Sequence, residues 1–448
     1  MRRNPWTNAV QPETIQDLQE LIASARARHQ TVALRGRGHS YDAARNSHGM
    51  TLDLSLFRHI IDWNREQGII KVEPGVTVGA LLRAVVGSGW WPGVLPLKRE
   101  ATLGGCLALN ASGINAWHAG SIGEYISAFD LLLPSGELIP VTLRDNDELF
   151  YSAIGGLGLL GIITSITLRL QPIPSGRLLM RRRFADSIFR MFDIFGEESP
   201  REGYLMGRID GNARVGRIGS GIVLCADFIE EVDPAFPLPR TQDVPTSIAQ
   251  LALSSLLRRA LQLLFGLNTE IGNRRLVSQR MFDRDGDAQY IPLKQFHFHF
   301  APMNYFLHTI LSRGCYFFQP FVPARQAPAV FSHLLQLSQE YGFVPLWCIM
   351  RQHRADPFVL SSQVDGFSLE LAYPIIWHDE ARFARLLEAM LNRVIEANGK
   401  LYLAQDKVLN AQTFRQMMGG ETIDRFLQIK EAYDPDYLFQ SNLFRRLF

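Results

Sequence analysis

Near the N-terminus, two glycines and two arginines directly follow a short apolar run. The types and spacing of these residues are suited to a functional site. Val32 to Leu34 predicts a buried strand, and it leads into Gly36 and Gly38, where the backbone can adopt a positive φ. Such a loop presents successive backbone N–H groups, which can form an anion-binding nest. Arg35 and Arg37 add fixed positive charge. An ordinary tight turn is the alternative, and Gly-x-Gly alone does not decide between the two.

Two more glycine clusters follow. The second is Thr102-Leu-Gly-Gly105, and small residues continue to Gly123, which lets a flat object approach the backbone closely. The alternative here is a surface loop, which the interleaved leucines disfavour. The third cluster, Gly155 to Gly161, runs into an apolar strand predicted over Ile162 to Leu170. Because it precedes a strand and not a helix, a Rossmann dinucleotide site is disfavoured.

Length and composition limit the class of protein. The chain has 448 residues, 47% hydrophobic and 20% charged, which indicates a globular protein of two or more domains. A net charge of +2 gives no electrostatic case for nucleic acid. Four widely spaced cysteines indicate neither a disulfide framework nor a zinc site, and they fit a reducing compartment. We see no signal peptide and no spanning helix, and we expect a cytoplasmic protein.

The elements that must position these clusters alternate between helix and strand, which predicts an α+β fold. Helices are predicted over 12–29, 78–86, 147–150, 379–398, 413–418 and 422–433. Strands are predicted over 51–54, 68–73, 126–133, 137–141, 204–209, 221–228, 296–300, 316–323, 344–350, 367–373 and 401–403. Pro172 to Gly176 is a predicted domain boundary.

Two stretches allow a second interpretation. Ser247 to Leu267 is a strongly apolar helix candidate, which either packs on the second domain or makes peripheral contact with a membrane surface. In Phe296-His-Phe-His-Phe300 the alternation predicts that His297 and His299 share one face of a strand. Two histidines at this spacing can bind a metal, but no acidic or cysteine partner lies nearby in sequence, so we predict no metal site.

With the three clusters in this order, the sequence resembles the FAD-dependent oxidoreductases of the vanillyl-alcohol-oxidase/PCMH type. The resemblance implies a two-domain, PCMH-type FAD-binding fold with an antiparallel-sheet substrate domain, and FAD as the cofactor. It implies that the cofactor-binding residues are Arg35, Gly36, Arg37, Gly38, His39, Ser40, Tyr41, Pro96, Thr102, Gly104, Gly105, Asn110, Ser112, Gly113, Asn115, Gly120, Ser121, Gly123, Gly158, Gly161, Ile162, Ile163 and Tyr402.

Within that family the chain is most similar to the decaprenylphosphoryl-ribose 2-oxidases, over nearly its full length. Leu401 to Lys407 and Asp434 to Leu447 resemble their C-terminal segments, and Phe318-Gln-Pro-Phe-Val-Pro323 resembles a strand that carries an active-site glutamine, here Gln319. The implied domains are an FAD-binding domain at 1–175, a substrate domain at 176–400, and a C-terminal segment at 401–448 that returns to the first domain.

The departures from that branch concern charge. A His-Gly-Lys is replaced by Ser112-Gly-Ile114, a second lysine by Gln405, and a cysteine aligns with Glu370. Two lost cations and a gained carboxylate make the pocket less suited to a phosphate diester. At His39 those oxidases have arginine, whereas the aldonolactone and alditol oxidases have a histidine bonded to the flavin. A covalent bond between His39 and FAD is therefore a further expectation.

The resemblance implies oxidation of the CH–OH group of a sugar, polyol or glycolipid-like substrate, with hydride transfer to flavin N5. Glu370, Gln319, Tyr402 and Gln405 are the predicted catalytic residues, and a solvated strand carboxylate is the alternative for Glu370. Oxygen or another acceptor can reoxidise the flavin. The competing functions are an aldonolactone oxidase-like enzyme, a flavin-binding protein without oxidase activity, and a scaffold that only binds a partner.

Overall fold

The computed structural model describes residues 9–40, 42–211, 217–229, 285–298, 315–375 and 379–448. Its first part is a small parallel sheet of strands β1 (Ala9–Val10), β2 (Val32–Arg35) and β3 (Met50–Asp53), in the order β1-β3-β2. Helix α1 (Ile15–Ala27) packs on it through Leu18 and Ile22. A capping box between Thr14 and Asp17 fixes the start of that helix.

A second sheet is antiparallel, and its central strand is the predicted one that follows the third glycine cluster. Its strands are β4 (Ile60–Asn64), β5 (Ile69–Val72), β6 (Trp90–Pro92), β7 (Ile126–Leu132), β8 (Leu138–Thr142) and β9 (Ile162–Pro172). Their order is β4-β5-β9-β7-β8, and β6 also pairs with β9. The helices of this part are α2 (Val78–Val85), α3 (Leu103–Ala108), α4 (Ala116–Ala119) and α5 (Asp147–Ala153).

The third sheet is also antiparallel and contains the described strands from residue 177 to residue 401. They are β10 (Arg177–Ala185), β11 (Tyr204–Ile209), β12 (Gly221–Phe228), β13 (Gly286–Pro292), β14 (Cys315–Phe318), β15 (Pro320–Pro323), β16 (Trp347–His353), β17 (Gly366–Pro374) and β18 (Lys400–Leu401). Their order is β13-β10-β12-β11-β16-β17-β15-β18, with β14 also on β17. The helices here are α6 (Ile188–Glu198), α7 (Leu293–His297), α8 (Ala327–Glu340) and α9 (Glu380–Glu396).

The C-terminal segment returns to the first sheet. After helices α10 (Ala411–Met418) and α11 (Gly420–Tyr433), Phe439 forms a parallel bridge with Val32 of β2. The Val32 N–H donates to the Leu438 carbonyl at 2.8 Å, and the Gln440 N–H donates back to Val32 at 2.9 Å. The last helix, α12 (Asn442–Leu447), follows. The strand that leads into the first glycine loop is thus held by residues more than 400 positions away.

Two sequence predictions are corrected, and one helix was missed. The strand predicted at Phe296–Phe300 is wrong over its described part, because helix α7 starts directly after Pro292 and ends at His297. Burial of two consecutive side chains, Phe296 and His297, outweighs the local alternation. The single strand predicted over 316–323 is two strands interrupted at Gln319. Helix α3 was not predicted, because the second glycine cluster was interpreted only as a small-residue stretch or a surface loop.

Other expectations stay as predictions. His299, Tyr41 and the apolar stretch 247–267 lie outside the described residues. Among the helices in the described ranges, none is long and apolar enough to cross a membrane.

Candidate active site

A cavity of about 200 Å³ brings the first two glycine clusters together with residues of the third sheet. It is bordered by the loop after β2, the segment before α3, α3 itself, Leu157 of the third cluster, and side chains of β14 to β17 and residues 402–405. The predicted residues that line it are Gly36, Arg37, Gly38, His39, Ser40, Pro96, Thr102, Gly105, Ser112, Gln319, Glu370, Tyr402 and Gln405.

The first glycine loop packs closely against the second cluster. A Cβ added at Gly36 would overlap Oγ1 of Thr102, and one added at Gly38 would lie 3.1 Å from Nε of Arg35. Gly38 also has a φ of +71°, which disfavours other residues. The loop therefore presents its backbone to the cavity, as an anion-binding nest requires.

The second cluster starts a short helix. Thr102 is the N-cap of α3, and its Oγ1 accepts from the Gly105 N–H at 3.3 Å. Gly104 lies against Pro74, since an added Cβ would be 2.6 Å from the proline Cβ. The same threonine thus caps the helix and supports the first loop.

The third cluster is joined to α3 by backbone hydrogen bonds. The Gly155 N–H donates to the Leu107 carbonyl at 2.9 Å, and the Leu157 N–H donates to Ala108 at 2.8 Å. Leu157 borders the cavity with a φ of +59°, an uncommon conformation for a leucine. Such strain is concentrated at functional sites. The three glycine clusters predicted to bind one cofactor are therefore in mutual contact.

Glu370 lines the cavity from β17, and its carboxylate is held by side chains of β16. Its Oε1 accepts from Nε1 of Trp347 at 3.3 Å, and its Oε2 lies 3.7 Å from Nη2 of Arg351. The Glu370 side chain is 15% exposed and that of Arg351 is 7% exposed. Glu370 is therefore a paired carboxylate on the cavity wall and not a solvated one.

Gln319, Tyr402 and Gln405 complete this wall. Gln319 is buried in the break between β14 and β15, and its carbonyl accepts from the Tyr402 N–H at 3.0 Å. Burial raises the pKa of the Tyr402 phenol, so it stays protonated and can donate a hydrogen bond. Oε1 of Gln405 is buried and, among the described residues, has no hydrogen-bond partner. An orphaned buried acceptor in a cavity is typical of a site that holds a ligand.

Sequence reasoning missed Lys98, Trp347 and Arg351, which all line the cavity. Burial lowers the pKa of the Lys98 ammonium, and the Glu370 carboxylate and then Glu100 oppose that shift. Lys98 and Arg351 are therefore two basic side chains near Glu370. The expectation that the pocket is less suited to a phosphate diester was based on the replaced lysines and did not include these two residues. The only signal for Lys98 is a lysine that ends the apolar run Val94 to Leu97.

The other predicted cofactor residues lie outside the lining of this cavity, with Tyr41 outside the described residues. They are Arg35, Gly104, Asn110, Gly113, Asn115, Gly120, Ser121, Gly123, Gly158, Gly161, Ile162 and Ile163. Two of them have protein partners instead. Nδ2 of Asn110 donates to Asp356 at 2.7 Å, and Nδ2 of Asn115 donates to the Gly93 carbonyl at 2.9 Å. These two amides support the backbone around the cavity.

His297 is a structural residue. Its Nε2 donates to the Pro96 carbonyl at 3.2 Å, and burial lowers its pKa to about 4. Within the described ranges no group of three or more His, Cys, Asp or Glu side chains is arranged to hold a metal ion. The imidazole instead fixes the segment that carries Lys98.

Comparison with known proteins supports an FAD-binding role for the part of the chain that contains the first two glycine clusters. Residues 6–142 match the family described as FAD binding domain. The chain is 25% identical over 431 residues to decaprenylphosphoryl-beta-D-ribose oxidase of Mycolicibacterium smegmatis, covering 93% of this chain and 89% of that protein. It is 28% identical over 162 residues to mitochondrial L-galactono-1,4-lactone dehydrogenase of Brassica oleracea, covering 36% and 27%. A putative D-arabinono-1,4-lactone oxidase of Neurospora crassa is 27% identical over 163 residues, covering 36% and 29%.

Proposed function

Since the chain is an FAD-dependent oxidoreductase with an FAD-binding domain at residues 6–142, we propose that it oxidises the CH–OH group of a sugar, polyol or glycolipid-like substrate. The observation that supports this is the shared cavity. The glycine loop at Gly36 and Gly38 lines the same cavity as Glu370, Gln319 and Gln405. A substrate in this cavity is in contact with both the cofactor-binding elements and fixed polar groups.

The residues present fit FAD. Gly36 and Gly38 would present backbone N–H groups to its pyrophosphate, with Arg37 adding charge, and Thr102 holds that loop in place. When bound, FAD supplies the oxidant, which accepts a hydride from the alcohol carbon. His39 lies in the same wall and is the residue that we propose for covalent attachment.

The chain's own polar groups bind and orient the alcohol. The Glu370 carboxylate, fixed by Trp347 and Arg351, accepts a hydrogen bond from a substrate hydroxyl. The amides of Gln319 and Gln405 and the protonated Tyr402 phenol offer further partners for a polyol. Several fixed polar groups on one wall favour a substrate with several hydroxyls over a simple aliphatic alcohol.

The nature of the relatives supports the substrate class. One full-length relative is named for a ribose derivative and two partial relatives for sugar lactones. We further propose the division into residues 1–175, 176–400 and 401–448, supported by the bridge between Phe439 and Val32. Contact of 247–267 with a membrane and the choice of electron acceptor stay predictions.

The test is an absorbance spectrum of the purified protein, followed by an anaerobic screen of alcohols. We expect a flavin spectrum with one FAD per chain, and bleaching near 450 nm by a sugar or polyol. Bleaching by aldonolactones alone would favour an aldonolactone oxidase-like enzyme. Bound flavin that no alcohol or lactone bleaches would favour a flavin-binding protein without oxidase activity.

A further inference from the structure

Lys98 is a lysine whose side chain lines the cavity. The chain contains six lysines, all in the described ranges, and Lys98 is the one that lines the cavity. It lies two residues after Pro96, whose carbonyl accepts a hydrogen bond from the buried imidazole of His297. Its ammonium lies 5.8 Å from the centre of the Phe317 ring, and it lines the same cavity as Glu370.

The ammonium of Lys98 keeps its hydrogen-bonding capacity. Within the described residues, Nζ of Lys98 makes no hydrogen bond, and no carboxylate oxygen lies within ion-pair distance of it. Its contact is a cation–π interaction with the Phe317 ring. Glu370, which is close enough to influence Lys98, directs its oxygens at Trp347 and Arg351. The Lys98 side chain is half-buried, so its amine is accessible to a ligand that enters the cavity.

We propose that Lys98 is a catalytic residue that accepts the hydroxyl proton of the substrate during its oxidation, an inference that rests on the proposed function. In this step the substrate O–H bond breaks and the proton goes to the neutral amine of Lys98. The electron pair left on oxygen forms the C=O bond while the C–H bonding pair leaves as hydride to the bound FAD, which is the oxidant. The substrate loses two electrons and two hydrogens, and Lys98 ends as an ammonium.

The other titratable groups around the cavity are poor acceptors for this proton. They are Arg37, His39, Cys106, Arg351, Glu370 and Tyr402, with Glu100 next to Lys98 in sequence. Arginine stays protonated, and burial raises the pKa of Cys106 to about 12 and raises that of Tyr402. Glu370 is engaged by two donors, and His39 belongs to the glycine loop. Burial lowers the pKa of Lys98, which increases the share of its neutral amine, the form that can accept a proton.

Two substitutions at Lys98 distinguish a base from a fixed charge. In the holoenzyme, Lys98→Met should slow anaerobic flavin reduction by about 10²–10⁴-fold, the usual contribution of a general base, and remove the acid limb of the pH profile. Lys98→Arg should be equally slow, because a guanidinium keeps the charge but cannot accept a proton. A Lys98→Arg enzyme within a few-fold of the wild type would overturn the proposal.

A neighbouring arginine provides the control. Arg99→Met removes one positive charge from the same segment, but the Arg99 guanidinium lies 5.5 Å over Phe298 and outside the cavity lining. We expect this variant to reduce its flavin at the wild-type rate. Equal slowing in Arg99→Met and Lys98→Met would show a general charge effect and also overturn the proposal.

A second measurement does not need a substrate. Competitive acetylation of the holoenzyme with acetic anhydride across pH, mapped by mass spectrometry, reports the titration of each lysine. We expect Lys98 to reach half-labelling at a lower pH than free lysine added as an internal reference, whose side-chain pKa is about 10.4. If no alcohol reduces the flavin but Lys98 titrates early, the proposed function fails while the basicity of Lys98 stands. A Lys98 that titrates like free lysine, or stays unlabelled at every pH, overturns the inference.

Discussion

The ammonium of Lys430 lies 2.7 Å from the carboxylate of Asp434, and both side chains are completely buried one helical turn apart. Lys430 also donates to the Leu159 carbonyl at 2.8 Å and to the Phe439 carbonyl at 2.9 Å. Asp434 accepts from the N–H groups of Leu438 and Phe439. One ion pair thus joins the C-terminal segment to the third glycine cluster.

Replacing Lys430 by methionine should destabilise the protein strongly, because the Asp434 carboxylate would be left buried without its cation. Losing one member of a buried pair costs about 3–5 kcal/mol in the free energy of unfolding. Urea unfolding followed by circular dichroism measures this. The half-exposed pair of Arg415 and Asp424 provides the control, and Arg415→Met should change the free energy little. Equal effects of the two substitutions would contradict the structural role of Lys430.

The first glycine loop should not tolerate a side chain at Gly36. In Gly36→Ala the new methyl would overlap Oγ1 of Thr102 and displace either the loop or the N-cap of α3. We expect FAD affinity to fall at least about tenfold, which corresponds to roughly 1.4 kcal/mol. Gly87→Ala is the matched control, since an added Cβ at Gly87 has no atom within 4 Å among the described residues. Fluorescence titration of the apoproteins with FAD gives both values, in a His39→Ala background that cannot form a covalent bond to the cofactor.

Protonation of His297 should destabilise the protein in mild acid. Burial lowers its folded-state pKa to about 4, whereas an unfolded histidine has a pKa of about 6.5. Between these values the unfolded state binds more protons, so the free energy of unfolding falls as pH falls from about 6.5 towards 4. His297→Gln should unfold with a weaker dependence on pH in this range, measured by urea titrations at pH 7.5 and pH 5. An unchanged dependence would contradict the assignment.

Much of the fold follows from local sequence patterns. The helix predicted at 12–29 from its apolar spacing, and the strands predicted at 126–133, 137–141 and 162–170, all lie within three residues of the observed elements. The helix at 293–297 was missed because its apolar alternation is typical of a strand, and only tertiary packing against Tyr204 and Trp91 favours the helix. Local pattern does not encode that packing.

The candidate site was predictable where a motif carried it. Gly36, Gly38 and Thr102 stand in recognisable clusters and line one cavity with Glu370, Gln319, Tyr402 and Gln405. The roles assigned to these residues stay predictions. Lys98 and Arg351 were not predictable in the same way. Each is an isolated charged residue in a strand or loop. Both come close to Glu370 only because the segment before α3 packs against β14, β16 and β17. The local sequence does not predict this packing.

Replacing Glu370 by glutamine should slow the reduction of the flavin while FAD stays bound. The substitution removes the charge that faces Arg351 and weakens the acceptor offered to a substrate hydroxyl. A hydrogen bond to a charged group contributes about 1.5–3 kcal/mol, so we expect a decrease of roughly 10–100-fold. Stopped-flow reduction measures the rate, and the flavin absorbance measures the bound cofactor. The exposed Glu431→Gln is the control, and an unchanged rate in Glu370→Gln would remove Glu370 from the mechanism.

The attachment of FAD to His39 should be directly observable. His39 follows the positive-φ Gly38 and lines the cavity, and a neutral imidazole is a competent nucleophile, whereas an arginine at this position would stay protonated. We therefore expect acid-precipitated protein to retain its yellow colour and the denatured chain to carry the mass of the cofactor. His39→Ala should bind FAD but release all of it on precipitation. If the wild-type colour stays wholly in the supernatant and the chain has its unmodified mass, His39 contacts the cofactor without a covalent bond.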